Sequence, residues 1–384
     1  MSTDRIAIVG AAESAYGKVP GRSEFDLHAE AAVRALDDAG LTKADVDGVF
    51  TCTQEFIRSP SQTVCEYLGL EPRHEDSTAV GGSTFEVLVE HAAAALRTGR
   101  IDVALITYGS TMLSSLGRTL GTRTRPISGF AQQYEEPYGV TLVASYALAA
   151  QRHMHEFGTE PAALARIAVA AREHAAKNPL AMYRDPLTVD DVLGSRMVST
   201  PLHKFDCCVI SDGGGALILT REDRARDCAK APVWVLGSSH STDHQIISEM
   251  PDLTTTAAAR TGPRAMAEAG IGPADVDLLM TYDSFTITAL LALEDLGFCA
   301  KGEGGPFVEA GSIDPGGPLA MNVDGGGLSS NHPGMRGIFL LIESVRQLRG
   351  EGGERQVPGV EVAVAHGVGG WLSSHGTVVL GKDS

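Results

Sequence analysis

Apolar positions in this chain gather into short continuous runs, and the runs are set between longer helical patterns. The order of these segments is written twice. Residues 31–51, AAVRALDDAGLTKADVDGVFT, reappear at 261–281 as TGPRAMAEAGIGPADVDLLMT, 230 positions later. Arg34/Arg264, Ala39/Ala269, Gly40/Gly270, Asp45/Asp275, Val46/Val276 and Asp47/Asp277 coincide. Each copy reads as a helix, a Gly stop, an ADVD turn and a buried strand. The match extends outward. IAIVG (6–10) and VWVLG (233–237) open the two halves as strands. GGSTFEVLVEHAAAAL (81–96) and GGGLSSNHPGMRGIFLLIESVRQL (325–348) are Gly-rich turns running into apolar helices. VALITYG (103–109) and VAVAHGVGG (362–370) follow as buried strands. Continuous apolar strands alternating with helices predict an α/β sheet covered on both faces. The period is too long for a solenoid, so two related half-domains are expected, with a site where they meet.

One stretch breaks the repeat. The first half carries about 90 residues, 116–204, that the second lacks, and so long an insertion implies helices or a function of its own. TLVASYALAAQRHMHEFG (141–158) and PAALARIAVAAREHAAKNP (161–179) are its helical patterns. The predicted division is 1–115 with 205–228, the inserted 116–204, and 229–384.

Composition narrows the function. The 384 residues carry a net charge of −17, which argues against a general nucleic-acid binder. The insertion is the exception: its two Lys and eight Arg face eight acidic residues, a locally milder field that suits an anionic ligand or is ordinary surface variation. No apolar run approaches the roughly 20 residues of a membrane span, and no signal pattern precedes the first strand. Six Cys lack the spacing of a disulfide framework or zinc site. A cytoplasmic protein without metal is expected.

Candidate chemistry lies at strand ends in the second half, where ligands of α/β sheets bind. Tyr282–Asp283–Ser284–Phe285 follows the strand VDLLM, Asn331–His332–Pro333–Gly334 follows the triple Gly, and His366–Gly367 follows VAVA. One Tyr and two His suit general acid–base work. Each also has a plainer reading, as a packed ring, a turn residue or a buried imidazole. Neither a GxSxG elbow nor a phosphate loop is present.

Taken together, DCCVISDGGGALIL, YDSFTITALLALEDLGFC, GGGLSSNHPG and the late HGVGG resemble the thiolase superfamily. They are most similar to sterol-carrier-protein-type thiolases and to the lipid-transfer-protein aldolases of steroid side-chain degradation. The resemblance implies a thiolase fold: a duplicated αβαβα core of five layers with an inserted loop domain. It implies a CoA thioester as substrate, no covalently bound cofactor, a homodimer, and a separate zinc-ribbon/OB-fold partner chain. It carries catalytic roles to Tyr282, His332 or Asn331, and His366, with Asp283 as an orienting group and backbone N–H groups near Gly369 as the oxyanion site. The nucleophilic Cys of a thiolase falls on Gly82, beside Ser83. Glycine carries no nucleophile, and Ser83 needs an adjacent base. A site lacking a thiolate can still cleave a carbon–carbon bond by retro-aldol chemistry on a β-hydroxyacyl-CoA. Acyl transfer, or a non-catalytic acyl-CoA-binding subunit, are the rival readings. Arg118, Arg123, Arg125 and Arg184 are the candidates for the CoA phosphates.

Overall fold

A computed structural model describes residues 5–53, 57, 59–116 and 129–382. The first half contains β1 (Ile6–Glu13), α1 (Glu24–Ala39), β2 (Gly48–Thr53), α2 (Pro60–Leu68), β3 (His74–Asp76), α3 (Thr84–Arg97) and β4 (Val103–Ser110). Two long helices follow, α4 (Leu142–Phe157) and α5 (Pro161–Ala175), before β5 (Gly213–Arg221) closes the half. The second half contains β6 (Val233–Thr242), α6 (Ala258–Ala269), β7 (Leu278–Thr281), α7 (Thr286–Asp295), β8 (Ala320–Met321), α8 (Gly337–Leu348), β9 (Val362–Gly369) and β10 (Ser374–Gly381).

The ten strands form one sheet in the order β8-β7-β9-β10-β6-β1-β5-β4-β2-β3. Its two halves repeat the same plan. In each, the second strand runs parallel to its neighbours on both sides, and the last runs antiparallel to the fourth and first. They join where Ile6, Ala7 and Ile8 of β1 pair antiparallel with Val235, Trp234 and Val233 of β6. Helix α3 packs on β2, β4 and β5 and also on β6, β9 and β10, while α8 reaches β1 and β5 as well as β7 and β9. The sheet therefore folds around this helix pair. With α1 and α6 covering the outer faces, this gives five layers.

The repeated residues explain the repeated geometry. Asp45 caps its turn by accepting the Thr42 N–H at 2.9 Å, and Asp275 does the same for Gly272 at 2.9 Å. Asp47 receives the N–H groups of Asp102 and Val103, and Asp277 those of Glu361 and Val362. Each thereby ties the second strand of its half to the start of the fourth. Gly10 and Gly237 lie so close to an outer helix that a Cβ would stand 2.1 Å from the Ala35 carbonyl and 2.2 Å from the Ala265 carbonyl. The duplication thus lies in bonds as well as letters.

One departure concerns 325–348. The sequence pattern reads as a turn passing straight into a helix, but α8 begins only at Gly337, and Gly326–Ser330 form a π-helical turn. Pro333 and three consecutive glycines oppose helix propagation there.

Candidate active site

The N-termini of the two central helices meet at the centre of the molecule. A Cβ on Gly337, the first residue of α8, would lie 2.4 Å from the Gly82 carbonyl just before α3. Helix N-termini favour negative charge, so this junction suits an anion or a developing enolate.

Tyr282 leaves the end of β7 here, its N–H bonded to the His366 carbonyl at 2.9 Å. Its ring lies directly over Gly82: a Cβ there would be 2.3 Å from Cε2 and Cζ and 2.4 Å from Oη. The phenol Oη meets His332 Nε2 at 2.9 Å. Tyr282 is 4% exposed and His332 7%. Burial raises the phenol pKa well above its usual value, with Cys208, Tyr146 and Tyr108 adding to the effect. Burial, with the nearby Arg336 charge acting in the same direction, pushes the His332 imidazole down to about 4. A neutral imidazole facing a protonated phenol accepts at Nε2 while the phenol donates.

The turn before His332 holds this pair in register. Asp283 accepts the N–H groups of Gly327 at 2.6 Å and Leu328 at 3.2 Å. The His332 N–H donates to Ser211 Oγ at 3.0 Å, and Tyr108 donates to the Pro333 carbonyl at 2.6 Å. Arg336 is fully buried, donates from Nε to the Asn331 carbonyl at 3.0 Å, and pairs through Nη2 with Asp324. Burial lifts the Asp283 carboxyl to about 6, against the opposing pull of Arg336.

The other sequence candidates divide. Gly82, Ser83 and Gly369 lie together. Ser83 Oγ donates to Ser374 Oγ at 3.0 Å, a hydroxyl rather than a base. A Cβ on Gly369 would stand 1.8 Å from the Val80 carbonyl and 2.9 Å from Ser83 Oγ. Asn331 is buried with its side-chain oxygen unpartnered among the described residues. His366 does not join the pair. Gly367 faces Ser83 and Glu86 in the central layer, so strand alternation turns His366 to the opposite face. There it bonds Thr377 Oγ1 at 2.8 Å and His375 Nδ1 at 3.2 Å, and Thr377 meets Thr261 of α6. Arg118, Arg123 and Arg125 lie outside the described residues. Arg184 donates to the Pro179 carbonyl and lines a cavity of about 370 Å³ with Lys177 and Glu354.

The sequence reading missed a second cavity, of about 340 Å³, bounded by Arg172, Arg196, Lys204, Phe205, Cys208 and Leu328. Among the described residues, no carboxylate lines it. Its inner residues adjoin the Tyr–His pair: Leu328 binds Asp283, and Cys208 acts on Tyr282. Arg172 is held by Ser329 Oγ at 2.9 Å and the Asp185 carbonyl at 3.1 Å. The available signal was a single Arg on the buried, alanine-rich stripe of α5.

Comparison with known proteins places the chain in a family. Residues 239–382 match the thiolase C-terminal domain-like family model. Over 96% of this chain and 98% of the relative, the sequence is 36% identical to the 17-hydroxy-3-oxo-4-pregnene-20-carboxyl-CoA lyase of Mycobacterium tuberculosis. It is 34% identical to an acetyl-CoA acetyltransferase of Methanothermobacter thermautotrophicus, over 95% of this chain and 96% of that one. Among solved structures, the Ltp2-ChsH2(DUF35) aldolase superposes with a TM-score of 0.90 at 32% identity, covering 99% of this chain and 98% of the other. The chain belongs to the thiolase superfamily. Within it, the chain falls in the branch that holds steroid side-chain-cleaving aldolases and sterol carrier protein 2-like thiolases.

Proposed function

We propose that this chain is a carbon–carbon lyase that cleaves a β-hydroxyacyl-CoA, of a steroid side chain or a similar acyl group, by retro-aldol chemistry. The observation that carries this reading is the buried Tyr282–His332 pair, whose ring occupies the space a side chain at position 82 would need. Tyr282 takes the β-hydroxyl proton as its own proton passes to His332 Nε2. The hydroxyl carbon becomes a carbonyl and the bond to the α-carbon breaks. The electron pair moves into the thioester enolate, and the proton then returns to the α-carbon. The enolate oxygen faces the helix N-termini and the backbone near Gly369, where N–H groups stabilise developing charge. Asp283 orients the Tyr–His pair by fixing the turn that carries His332.

The cavity beside Cys208 supports a CoA thioester as substrate. Its walls are largely apolar, and Arg172, Arg196 and Lys204 suit the anionic end of CoA. CoA enters as part of the substrate, with no covalently bound cofactor. We assign 116–204 as the inserted loop domain, between the parts of an N-terminal half (1–115 and 205–228), and 229–384 as the C-terminal half. The solved aldolase names ChsH2(DUF35) beside Ltp2, which supports a separate zinc-ribbon/OB-fold partner here. A homodimer in the cytoplasm completes the proposal. Among the described residues, no helix is long and apolar enough to cross a membrane.

The test is Tyr282→Phe. Loss of a positioned proton-transfer group lowers turnover by about 100-fold or more, read as ketone release from a β-hydroxyacyl-CoA. Full activity in the variant would end the lyase reading. The 34% identity to an acetyl-CoA acetyltransferase favours acyl transfer as the second reading. A covalent acyl adduct in intact-protein mass spectra after mixing with acyl-CoA would establish it.

A further inference from the structure

Tyr282 and His332 come from different elements, yet both are tied to one π-helical turn. Asp283, the next residue after Tyr282, holds the turn by the N–H groups of Gly327 and Leu328. Asp324 holds its start by the N–H of Gly326 at 3.0 Å. Arg336 closes the assembly. Its Nε binds the carbonyl of Asn331, the residue before His332, and its Nη2 binds Asp324. A guanidinium this deeply buried is held only if its charge is answered. Asp324 and Asp283 answer it, and Asn178 braces the Asp324 carbonyl at 2.9 Å. Nη1 has no partner among the described residues.

We propose that Arg336 is the positioning residue of the Tyr282–His332 pair. Its guanidinium fixes the turn that sets their separation, and its charge keeps the imidazole a transient rather than a resting proton store. The proposal rests on the lyase reading for its kinetic consequence but not for its electrostatic one. A proton on His332 faces the Arg336 cation, so it returns readily to the enolate carbon. Among the described residues, the charged and titratable groups acting on the pair and on Arg336 are Cys208, Tyr108 and Tyr146 beside Tyr282, Asp283, Asp324 and Tyr16 beside Arg336, and Arg336 itself.

The experiment compares Arg336→Lys, Arg336→Met and the double variant Arg336→Met/Asp324→Asn in the full chain. The double variant removes both ends of the Arg336–Asp324 ion pair, and Asp283 keeps the N–H groups of Gly327 and Leu328, so it serves where Arg336→Met fails to fold. Two readouts are taken. One is the pH profile of kcat and KM with a β-hydroxyacyl-CoA. The other is the titration of His332 by NMR of protein with ¹³C-labelled histidine, assigned through His332→Gln. The expected result is a kcat loss of about 100-fold in the double variant, with KM changed less than about threefold. The His332 midpoint moves up, and Arg336→Lys restores the parent midpoint. A double variant with the parent's kcat and His332 midpoint overturns the proposal. If turnover is absent even in the parent, the lyase reading fails, and the NMR titration still decides the role of Arg336.

Discussion

Replacing Gly82 by alanine adds one methyl group where the structure leaves room only for hydrogen. The new Cβ would stand 2.3 Å from two carbons of the Tyr282 ring, against the roughly 3.5 Å at which carbon atoms rest in contact. The ring must therefore retreat by about 1 Å, or the start of α3 must move by as much. Neither movement is free. On the other side of Gly82, its carbonyl presses on Gly337 at the head of α8, and the Tyr282 main chain is pinned to β9. Overpacking of this kind costs about 1–3 kcal/mol of stability, which leaves the fold intact. The larger effect is kinetic. The Oη–Nε2 bond is 2.9 Å, and a displacement of about 1 Å takes it out of hydrogen-bonding range. Misplacement on that scale costs about 100-fold in rate. The assay pairs ketone release from a β-hydroxyacyl-CoA with chemical denaturation of the same preparation. Gly82→Ala is expected to unfold slightly earlier and to turn over about 100-fold more slowly. Turnover within threefold of the parent would refute the argument that this contact sets the pair.

Glu86 gives a prediction about stability. Its carboxyl is buried between Gly337 and Gly367, both oxygens lack partners among the described residues, and burial raises its pKa from 4.5 to about 8. An acid whose pKa is raised on folding contributes stability that is fully present below about pH 4.5 and is lost as pH rises through 8, by about 3–5 kcal/mol in all. Glu86→Gln should flatten that part of the stability–pH curve, followed by urea denaturation from pH 5 to 9; identical slopes in parent and variant would count against it. His366→Gln should leave ketone release within about threefold of the parent while costing about 1–3 kcal/mol, because His375 and Thr377 each lose a partner. A 100-fold loss of turnover with stability unchanged would instead place His366 in the reaction.

The sequence made the duplication legible because its repeated letters are bonding residues. Asp47 and Asp277, Gly10 and Gly237 recur because each half solves the same two problems: tying a second strand to a fourth, and bringing a helix against a strand. Motif position also located Tyr282, His332 and Gly82, since strand ends and helix starts can be counted. The face on which a strand residue points could not be counted. His366 sits at a strand end in an HGVGG run, but its facing is decided by Gly367, whose missing side chain admits Glu86 of the opposite half. That fact depends on a contact some 280 residues away in the chain. The same holds for the cations. Arg118, Arg123 and Arg125 were candidates for the CoA phosphates and lie outside the described residues, whereas Arg172 lies on the alanine-rich face of α5 and looks like an exception to a helix. An isolated charge on a buried stripe is costly unless something answers it. Here the answer is the Ser329 hydroxyl, the Asp185 carbonyl and carboxylate, and the rings of Tyr183 and Phe205. The side chain that broke the buried pattern was therefore the sequence signal for the cationic cavity it lines.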